Sequence, residues 1–323
     1  MLMGLKSAGN LPLFDPAEGK ILMEPEKPEN GYWIGAPSAW VDDGAVYLSA
    51  RHRRPVSLGR GWKSSIYRSE TGEDFDEIWA CHAADFNTES IERSALVRAA
   101  SGEWRLYVSY VDGDRRWRID LLEASRVDDL DPDRRIPIMD AESTSSEGVK
   151  DPVVHFIGGA TYMFVAYAPR DSVVPGSTHD DLHGTGNVFT TGLVSHPSGL
   201  WLSADGHRFE FQRDITVPGN GWDRNVARLS AVVRNGAGYT IFYDGRITNG
   251  DVYEDKTGFC TSLDLVHVFK HSVDGPVLES PYGTGCLRYL DCVRFGEDLI
   301  YYYELGRDDG AHELRVSTVP ATD

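Results

Sequence analysis

One short pattern recurs five times along this chain and constrains its fold more than any other feature. Each copy is a short strand-like run, a polar or Gly-rich turn, and a second run crowded with Tyr, Phe, Val and Leu. The copies begin at Ala36, Arg93, Asp151, Ala227 and Tyr289. Their starts are separated by 57, 58, 76 and 62 residues, and further strand-like runs such as KSSIYRSETGEDFDEIWA from Lys63 lie between them. One repeating unit is therefore about four strands, and there are five units.

Five repeated units of four strands predict an all-β fold, a five-bladed β-propeller. Radial repetition buries each sheet against its neighbours and leaves only short edges. The alternative is a pair of β-sandwiches, but long helical periodicity is absent and the hairpin pattern continues to the end of the chain. With 323 residues, 41% of them hydrophobic, the chain is long enough for a sizeable core. We expect one domain over residues 1–323.

The two ends of the chain complement each other. The fifth unit has three evident strands, the last being HELRVSTVP from His312, while the segment Leu11 to Glu24 is strand-like and otherwise unassigned. We predict that this N-terminal segment supplies the fourth strand of the last blade and closes the ring, which removes an open sheet edge.

The composition excludes several partners. The formal net charge of −18 disfavours nucleic acid and anionic membranes as general partners. No apolar run approaches the ~20 residues that span a bilayer, and the start MLMGLKSAGNLPLFDP has no signal-peptide core. The four cysteines lack C-x-x-C spacing, which favours reduced, buried thiols over disulfides or metal ligands. We expect a cytoplasmic protein without a cofactor, and no sequence feature indicates its oligomeric state.

The propeller architecture predicts where a site lies. In a four-stranded blade, the start of the first strand and the end of the second lie on the same rim, so these positions from every blade converge on one mouth of the axial channel. Charged residues occupy nearly all of them. At the first-strand starts they are Glu92, Arg93, Lys150, Asp151, Arg224, Arg228, Arg288 and Asp291. At the second-strand ends they are Arg51, His52, Asp112, Asp114, Arg170, Asp244, Arg246, Glu304 and Arg307. With aromatic residues such as Trp40, Tyr110, Tyr167 and Tyr243, such a pocket suits a polar ligand with many hydroxyl groups.

These features resemble a known group of enzymes. The five-unit pattern and the Lys150-Asp151-Pro152 start of the central unit resemble the five-bladed propeller glycoside hydrolases, the arabinanase, xylosidase and invertase-like groups. The FYDGR motif that ends at Arg246 and the following YEDKTGF are similar to those of glycosidase-like propellers. The architectural resemblance covers about residues 32 to 319, and the motif-level match is limited to the Asp-Pro pair and its surroundings.

The resemblance implies three carboxylates in the axial pocket: a base or nucleophile from the first blade, an orienting acid in an Asp-Pro context, and a Glu from a later blade as the acid. Asp151 matches the Asp-Pro carboxylate. Ala36 stands where the first-blade base is expected, and Ala227 with Arg228 stands where the later acid is sought. Either the activity is lost or other rim acids have taken over, the candidates being Glu92, Asp244, Glu254, Asp255, Asp291 and Glu304.

Glycoside cleavage uses two carboxyl groups, one to protonate the leaving oxygen and one to attack the sugar or activate water. Asp151 with Glu92 is the preferred pair, because adjacent blades bring inner-strand starts close together. The competing interpretations are turn chemistry for Asp151 and Asp244 and an ion pair with Arg93 for Glu92. The predicted catalytic residues are Asp151, Glu92, Asp244 and Glu254. The predicted substrate-binding residues are Arg51, His52, Arg93, Trp40, Arg228, Arg246, Tyr167, His179, His183, Arg288, Asp291 and Glu304.

The loop over residues 170–187 is unusually long, and loops of this length are usually lids or binding loops. It contains His179 and His183 in a His-x-x-x-His spacing, which faces a metal only if the segment is helical. We favour a solvated lid with these histidines near the substrate, and assign no metal site.

We therefore expect a glycoside hydrolase-like enzyme acting on a small furanoside or a modified sugar. Two alternatives stay open: a propeller that only binds a carbohydrate or a partner protein, and non-hydrolytic acid/base chemistry in the same pocket.

Overall fold

The computed structural model describes residues 7–250 and 253–321, so the ends of the predicted domain, residues 1 and 323, lie outside the described residues. Strands dominate these ranges, and the one α-helix in them, α1, covers His179–His183. Short 3-10 helices cover Val56–Leu58, Ala83–Phe86, Val127–Asp129, Pro132–Arg134, Arg170–Ser172 and Val188–Thr190. In the described part of the chain, no helix has the length and apolar character needed to cross a membrane.

The strands fall into a short N-terminal group and five successive sets. The N-terminal strands are β1 (Ser7–Ala8), β2 (Leu11–Pro12) and β3 (Lys20–Met23). The first set is β4 (Trp33–Asp42), β5 (Ala45–Arg53), β6 (Gly61–Ser69) and β7 (Asp76–His82). The second is β8 (Ile91–Arg98), β9 (Trp104–Val111), β10 (Trp117–Ala124) and β11 (Ile136–Met139). The third is β12 (Ser146–Ile157), β13 (Ala160–Pro169), β14 (Ser198–Ser203) and β15 (Glu210–Thr216). The fourth is β16 (Val226–Asn235), β17 (Gly238–Arg246), β18 (Lys256–Ser262) and β19 (Val268–Lys270). The fifth is β20 (Leu287–Phe295), β21 (Asp298–Gly306) and β22 (His312–Pro320).

Each set forms an antiparallel sheet in which strands adjacent in sequence pair with one another. Two-residue turns join the first two strands of four sheets. They are Asp43-Gly44, Gly158-Gly159, Gly236-Ala237 and Gly296-Glu297. The glycines of these turns have positive φ, the conformation that such tight hairpins require. The alternation of Gly-rich turns and aromatic strands in the sequence is thus the hairpin pattern of the structure.

The N-terminal segment joins the last sheet. Strand β3 pairs antiparallel with β22, and Leu314 lies opposite Met23. On the same strand, one parallel bridge between His312 and Trp33 connects the fifth sheet with the first. The two ends of the described chain therefore meet in one sheet, the place where the sequence predicts the N-terminal strand.

The sheets pack face to face in chain order, and the fifth also packs against the first. Apolar clusters fill each interface. Representative buried pairs across the interfaces are Ile66 with Leu106, Tyr107 with Met163, Phe164 with Ile241, Phe242 with Tyr301, and Leu48 with Ile300. The first strands of the sheets, β4, β8, β12, β16 and β20, are the inner strands, since each contacts the next and β20 contacts β4. All four cysteines are buried and free.

Candidate active site

A β-bulge in each inner strand sets up the site. In four of them, two successive residues lie opposite a single residue of the neighbouring strand: Ala36-Pro37, Glu92-Arg93, Asp151-Pro152 and Tyr289-Leu290. Ser230 is the extra residue in β16. Ala36, Asp151 and Tyr289 have φ values of 51°, 58° and 51°, in the left-handed region that non-glycine residues rarely adopt. A bulge re-aims a side chain out of the regular alternation, and here the bulges turn Glu92, Asp151 and Tyr289 towards one another.

Glu92 and Tyr289 line a cavity, the central cavity, where the starts of the inner strands converge. Its volume is about 20 Å³, room for about one water molecule. The lining residues are Arg53, Glu92, Lys150, Asn187, Phe189, Thr190, His196, Val226, Arg228, Arg246, Tyr253, Asp255, Arg288 and Tyr289. A sugar needs more room than this, so its entry requires movement of the wall.

Tyr289 connects the two acids of the predicted pair. Its hydroxyl oxygen lies 3.4 Å from Oε2 of Glu92 and 3.4 Å from Oδ2 of Asp151. The two carboxylate oxygens are therefore at most about 6.8 Å apart, the sum of those two separations. Both acids are buried, and Asp151 lies behind the wall that Tyr289 forms. Burial raises the pKa of Tyr289 well above its usual value, so the phenol is protonated.

Arg51 holds the Glu92 side of the pair. Its Nη1 lies 3.1 Å from Glu92 and its Nη2 lies 2.9 Å from Glu304. Burial alone would raise the pKa of Glu92, but Arg51, followed by Lys150, lowers it to about 2. Glu92 is therefore an ionised carboxylate at neutral pH, suited to act as a base or a nucleophile and not as an acid.

Glu304 lies beside Ala36 at the bulge of the first sheet. Oε2 of Glu304 accepts a hydrogen bond from the Ala36 backbone N–H at 3.1 Å, so a carboxylate from the fifth sheet lies beside the bulge of the first. Glu304 also accepts hydrogen bonds from Arg288 at 2.6 Å and contacts His312 at 2.7 Å. Although burial opposes it, the positive charge of Arg288 and Arg51 lowers the pKa of Glu304 well below its usual value. Glu304 does not line the central cavity.

Arg228 links the third and fourth sheets. It lies 3.4 Å from Oδ2 of Asp151 and donates to Oδ2 of Asp244 at 2.7 Å. The Tyr289 backbone N–H donates to the same Asp244 oxygen at 3.0 Å. Burial raises the pKa of Asp244 to about 6, although Arg228 opposes the shift. Asp244 is absent from the cavity wall, so its contacts assign it to holding Arg228 and the Tyr289 backbone.

Asp255 lines the cavity in place of the predicted Glu254. Oδ2 of Asp255 lies 3.3 Å from Arg288 and 3.9 Å from Arg246. Glu254, one residue earlier, points elsewhere and accepts a hydrogen bond from Thr248 at 2.7 Å. Glu254, a predicted catalytic residue, therefore does not line the central cavity, because successive residues of an extended segment face opposite sides.

Three predicted substrate-binding residues lie at the opposite end of the inner strands. Trp40 and Asp291 line a separate cavity of about 230 Å³ there. Arg93 lies 3.5 Å from Asp291 and donates to the Ser230 carbonyl at 2.7 Å. Trp40 is near the end of the ten-residue strand β4, Arg93 is the second residue of its bulge, and Asp291 follows the bulge of β20, so their side chains face away from the central cavity.

Two more predicted residues face the outer parts of their sheets. His52 alternates with Arg51 and Arg53 along β5, and contacts the Tyr67 hydroxyl at 2.9 Å. The hydroxyl of Tyr167 donates to Asp214 of the outer strand β15 at 2.7 Å. Neither side chain reaches the central cavity, because strand residues alternate between faces.

The long loop covers the cavity with different residues from those predicted. Its helix α1 begins at a capping box formed by Thr178 and Asp181, and His183 contacts Glu147 at 3.0 Å. His179 and His183 do not line the cavity. Within the described ranges, no group of three or more His, Cys, Asp or Glu side chains is placed to hold a metal ion. From the segment between β13 and β14, the last residue of this loop, Asn187, and the following Phe189, Thr190 and His196 contribute to the wall.

Several lining residues were missed by the sequence analysis as site residues. The repeat pattern does indicate Tyr289 as a site residue, because it occupies the same place in its repeat as Asp151 and Ala36. Arg53 shares a strand face with Arg51 by the two-residue period. No local signal marks Phe189 or His196, since they lie on a loop whose path depends on tertiary contacts.

Comparisons with known proteins complete this description. No protein-family model matches the sequence, and no curated protein does. The crystal structure of a thermostable family-43 glycoside hydrolase matches with a TM-score of 0.65 and 14% identity, over 93% of this chain and 94% of that chain. A GH43_1 enzyme from Xanthomonas citri complexed with xylose matches with a TM-score of 0.60 and 14% identity, over 92% and 90%. A β-1,2-mannobiose phosphorylase from Listeria innocua in complex with β-1,2-mannobiose has a TM-score of 0.60 and 14% identity, over 93% and 94%. At this identity the likeness is one of fold: the chain has the β-propeller fold of the family-43 glycoside hydrolases.

Proposed function

We propose that the protein is a glycoside hydrolase-like enzyme that acts on a small sugar in the central cavity, with Glu92 and Asp151 as its paired carboxylates. One observation carries the proposal: both acids lie 3.4 Å from the same Tyr289 hydroxyl. The oxygens of the two carboxylates are therefore at most about 6.8 Å apart, which allows Glu92 to act on the sugar while Asp151 holds the protonated phenol between them.

The proposal includes the architecture around the pair. We infer that the five sheets are the five blades of one propeller domain and that β3 completes the last blade and closes the ring. The pairing of β3 with β22 and the packing of the fifth sheet on the first support this inference. The central cavity then lies on the axis, where acids that are distant in sequence come together.

The roles follow from the charges. Glu92 is ionised and serves as base or nucleophile, with Arg51 stabilising its charge. Tyr289 is protonated, lines the cavity and is hydrogen-bonded between the two acids, so it carries the proton nearest to the reacting bond. Asp151 orients the phenol and is itself held by Lys150 and Arg228, each 3.4 Å away. Tyrosine is an established general acid in enzymes, as carboxylic acids are.

The substrate class follows from the same site and from the fold. Structures with this fold contain xylose and β-1,2-mannobiose, so sugars are the first ligands to consider. The small, charged, aromatic-lined cavity favours a small furanoside or a modified sugar over a polysaccharide. Phe189 and Tyr253 provide aromatic rings of the wall, part of which must move to admit a sugar.

The test is a screen of aryl glycosides, led by arabinofuranosides and fructofuranosides, with the wild type and four variants. Asp151→Asn and Glu92→Gln should each lower kcat/KM by at least about 100-fold. Tyr289→Phe should impair substrates with poor leaving groups far more than those with activated aryl leaving groups, since only the former need a proton donor. Asp214→Asn, which removes a carboxylate on outer strand β15, is the matched control and should retain activity.

A second candidate function is binding without turnover, and it is favoured by Ala36 at the first bulge, where the resemblance implies the base. It predicts no turnover on any glycoside, with saturable heat of binding for a sugar. Turnover that survives Asp151→Asn and Glu92→Gln would refute the paired-carboxylate proposal.

A further inference from the structure

Two cations of the central cavity lie against aromatic rings, and one of them, Lys150, also pairs with Asp151 at 3.4 Å. The guanidinium carbon of Arg53 lies 4.0 Å from the centre of the Trp33 ring and 4.7 Å from that of Tyr253. The ammonium of Lys150 lies 5.2 Å from the ring centres of Trp117 and Phe189. No carboxylate among the described residues lies within 4 Å of Arg53. Cation–π contacts position a charge without neutralising it.

Two further donors in the wall lack full hydrogen bonding. Arg246 donates to the Phe189 carbonyl at 3.1 Å, and its nearest carboxylate, Asp255, is 3.9 Å away. Its Nε has no hydrogen-bond partner within the described chain. Both ring nitrogens of His196 also lack one there, although this residue is only 3% exposed. Burial, followed by the charge of Lys150, lowers the pKa of His196 well below its usual value, so it is a neutral imidazole.

The nearby carboxylates are already engaged by other cations. Glu92 is paired with Arg51, and Asp244 with Arg228. In the described residues, five cationic side chains line the cavity against two carboxylates, Glu92 and Asp255. Asp151, Asp244 and Glu304, buried outside the lining, pair with Lys150, Arg228 and Arg288. Arg53 and Arg246 are therefore the least compensated cations of the wall, inside a protein whose formal net charge is −18. Burying such cations is unfavourable unless an anion compensates them.

We propose that the central cavity binds a phosphate group, either as inorganic phosphate or as the phosphoryl group of a sugar phosphate, through Arg53, Lys150, Arg246 and His196. The sugar part of this inference rests on the proposed function. The anion site does not, because these four side chains define it. The donors come from three sheets and a loop and therefore approach from several directions. A tetrahedral phosphate presents oxygens in several directions, whereas a carboxylate favours one planar fork. Phosphate is larger than the one water molecule that about 20 Å³ holds, so its binding requires movement of the wall.

The experiment measures binding to the full-length protein by calorimetry at constant ionic strength. The probes are inorganic phosphate, glucose 1-phosphate, glucose 6-phosphate, glucuronate and glucose. Lys150→Gln and Arg246→Gln are the test variants, because Asp151 and Asp255 each keep a second arginine, Arg228 and Arg288 respectively. Lys63→Gln, which breaks a surface pair with Glu77, removes the same charge outside the cavity and is the control.

We expect saturable binding of one phosphate-bearing ligand per chain, weakened about tenfold or more by Lys150→Gln and by Arg246→Gln and unchanged by Lys63→Gln. Tighter binding of inorganic phosphate identifies free phosphate as the ligand, and tighter binding of a sugar phosphate identifies the phosphoryl group of the substrate. Either result supports the site.

Three results would overturn it: no saturable binding of any phosphate, binding that both test variants retain, or glucuronate bound more tightly than every phosphate. Melting temperatures of the variants near that of the wild type show that a loss of binding is not a loss of fold. Binding does not depend on turnover, so the absence of glycoside cleavage would refute the proposed function and leave the phosphate site standing.

Discussion

At the scale of single residues, the centre of this protein is a network of buried charges in which partners come from different sheets. Arg51 of the first sheet contacts Glu92 of the second and Glu304 of the fifth. Arg228 of the fourth contacts Asp151 of the third. Each charge depends on a partner that the chain supplies far away in sequence. Removing one member of a buried ion pair leaves the other unpaired in a medium of low dielectric, which is strongly unfavourable.

Replacing Arg51 by Met should therefore destabilise the protein severely. Glu304 still forms an ion pair with Arg288, but Glu92 loses the only cation that lies within 4 Å of it in the described residues. We expect the free energy of unfolding, measured by urea denaturation, to fall by about 3–5 kcal/mol. Arg54→Met, which breaks an exposed pair with Glu26, is the control and should change it by about 1 kcal/mol or less. Equal losses in the two variants would show that the buried network contributes little to stability.

At the scale of elements, each inner strand forms one half of a regular hairpin and contains one β-bulge. The hairpin turns follow from Gly and Asp residues in the sequence, and the bulge provides the side chains of the site. Proline at positions 37 and 152 fits this arrangement, because a bulge leaves residues outside the hydrogen-bonded ladder. The N-terminal segment adds a second element-level feature, since its strand β3 and the preceding residues pack on the last sheet.

Truncating Phe14 tests how much the N-terminal segment stabilises the fold. Its ring stacks on Tyr303, with ring centres 4.6 Å apart, and contacts Tyr301 at 5.0 Å. We expect Phe14→Ala to lower the free energy of unfolding by about 3–5 kcal/mol. Phe269→Ala, at an exposed position of outer strand β19, should have an effect within about 1 kcal/mol. A stability of Phe14→Ala equal to that of the wild type would mean that the segment is not needed to hold the last sheet.

At the scale of the whole molecule, every sheet contributes a side chain to the buried ion pairs at the centre. The contacts of Arg51, Arg228 and Arg288 together connect all five sheets, and apolar clusters join each sheet to the next. Opening any one sheet exposes an apolar face and separates buried ion pairs at the same time. Such coupling favours unfolding as one cooperative unit.

Cooperativity is tested by two probes of one denaturation curve. The eight tryptophans occur between Trp33 and Trp222, so fluorescence reports mainly on the first four sheets, although Trp33 also stacks on His312 of the fifth, whereas far-UV circular dichroism reports on all strands. We expect coincident transitions with the same midpoint. A separate transition seen by circular dichroism after the fluorescence change is complete would show that the fifth sheet unfolds on its own.

The sequence by itself determined the repeating units, the position of their turns, and the two acids that meet at Tyr289. It did so because hairpins are local: turn chemistry and two-residue alternation are determined by neighbouring residues. Alternation along β5 places Arg51 and Arg53 on one face of the strand and His52 on the other. It does not reveal which face points to the central cavity, and in the structure His52 lies on the face that points away from it.

Only the tertiary structure decided which face of each strand meets the axis, which cation pairs with which acid, and how little room the cavity leaves. A bulge shifts the alternation by one residue and so reverses the facing of the residues after it, which is why Trp40 and Asp291 line the opposite cavity. The path of the loop that carries Phe189 and His196 depends on its contact with Arg246, a residue from another sheet. Long-range contacts of this kind have no local signature, because the two partners are far apart in the chain.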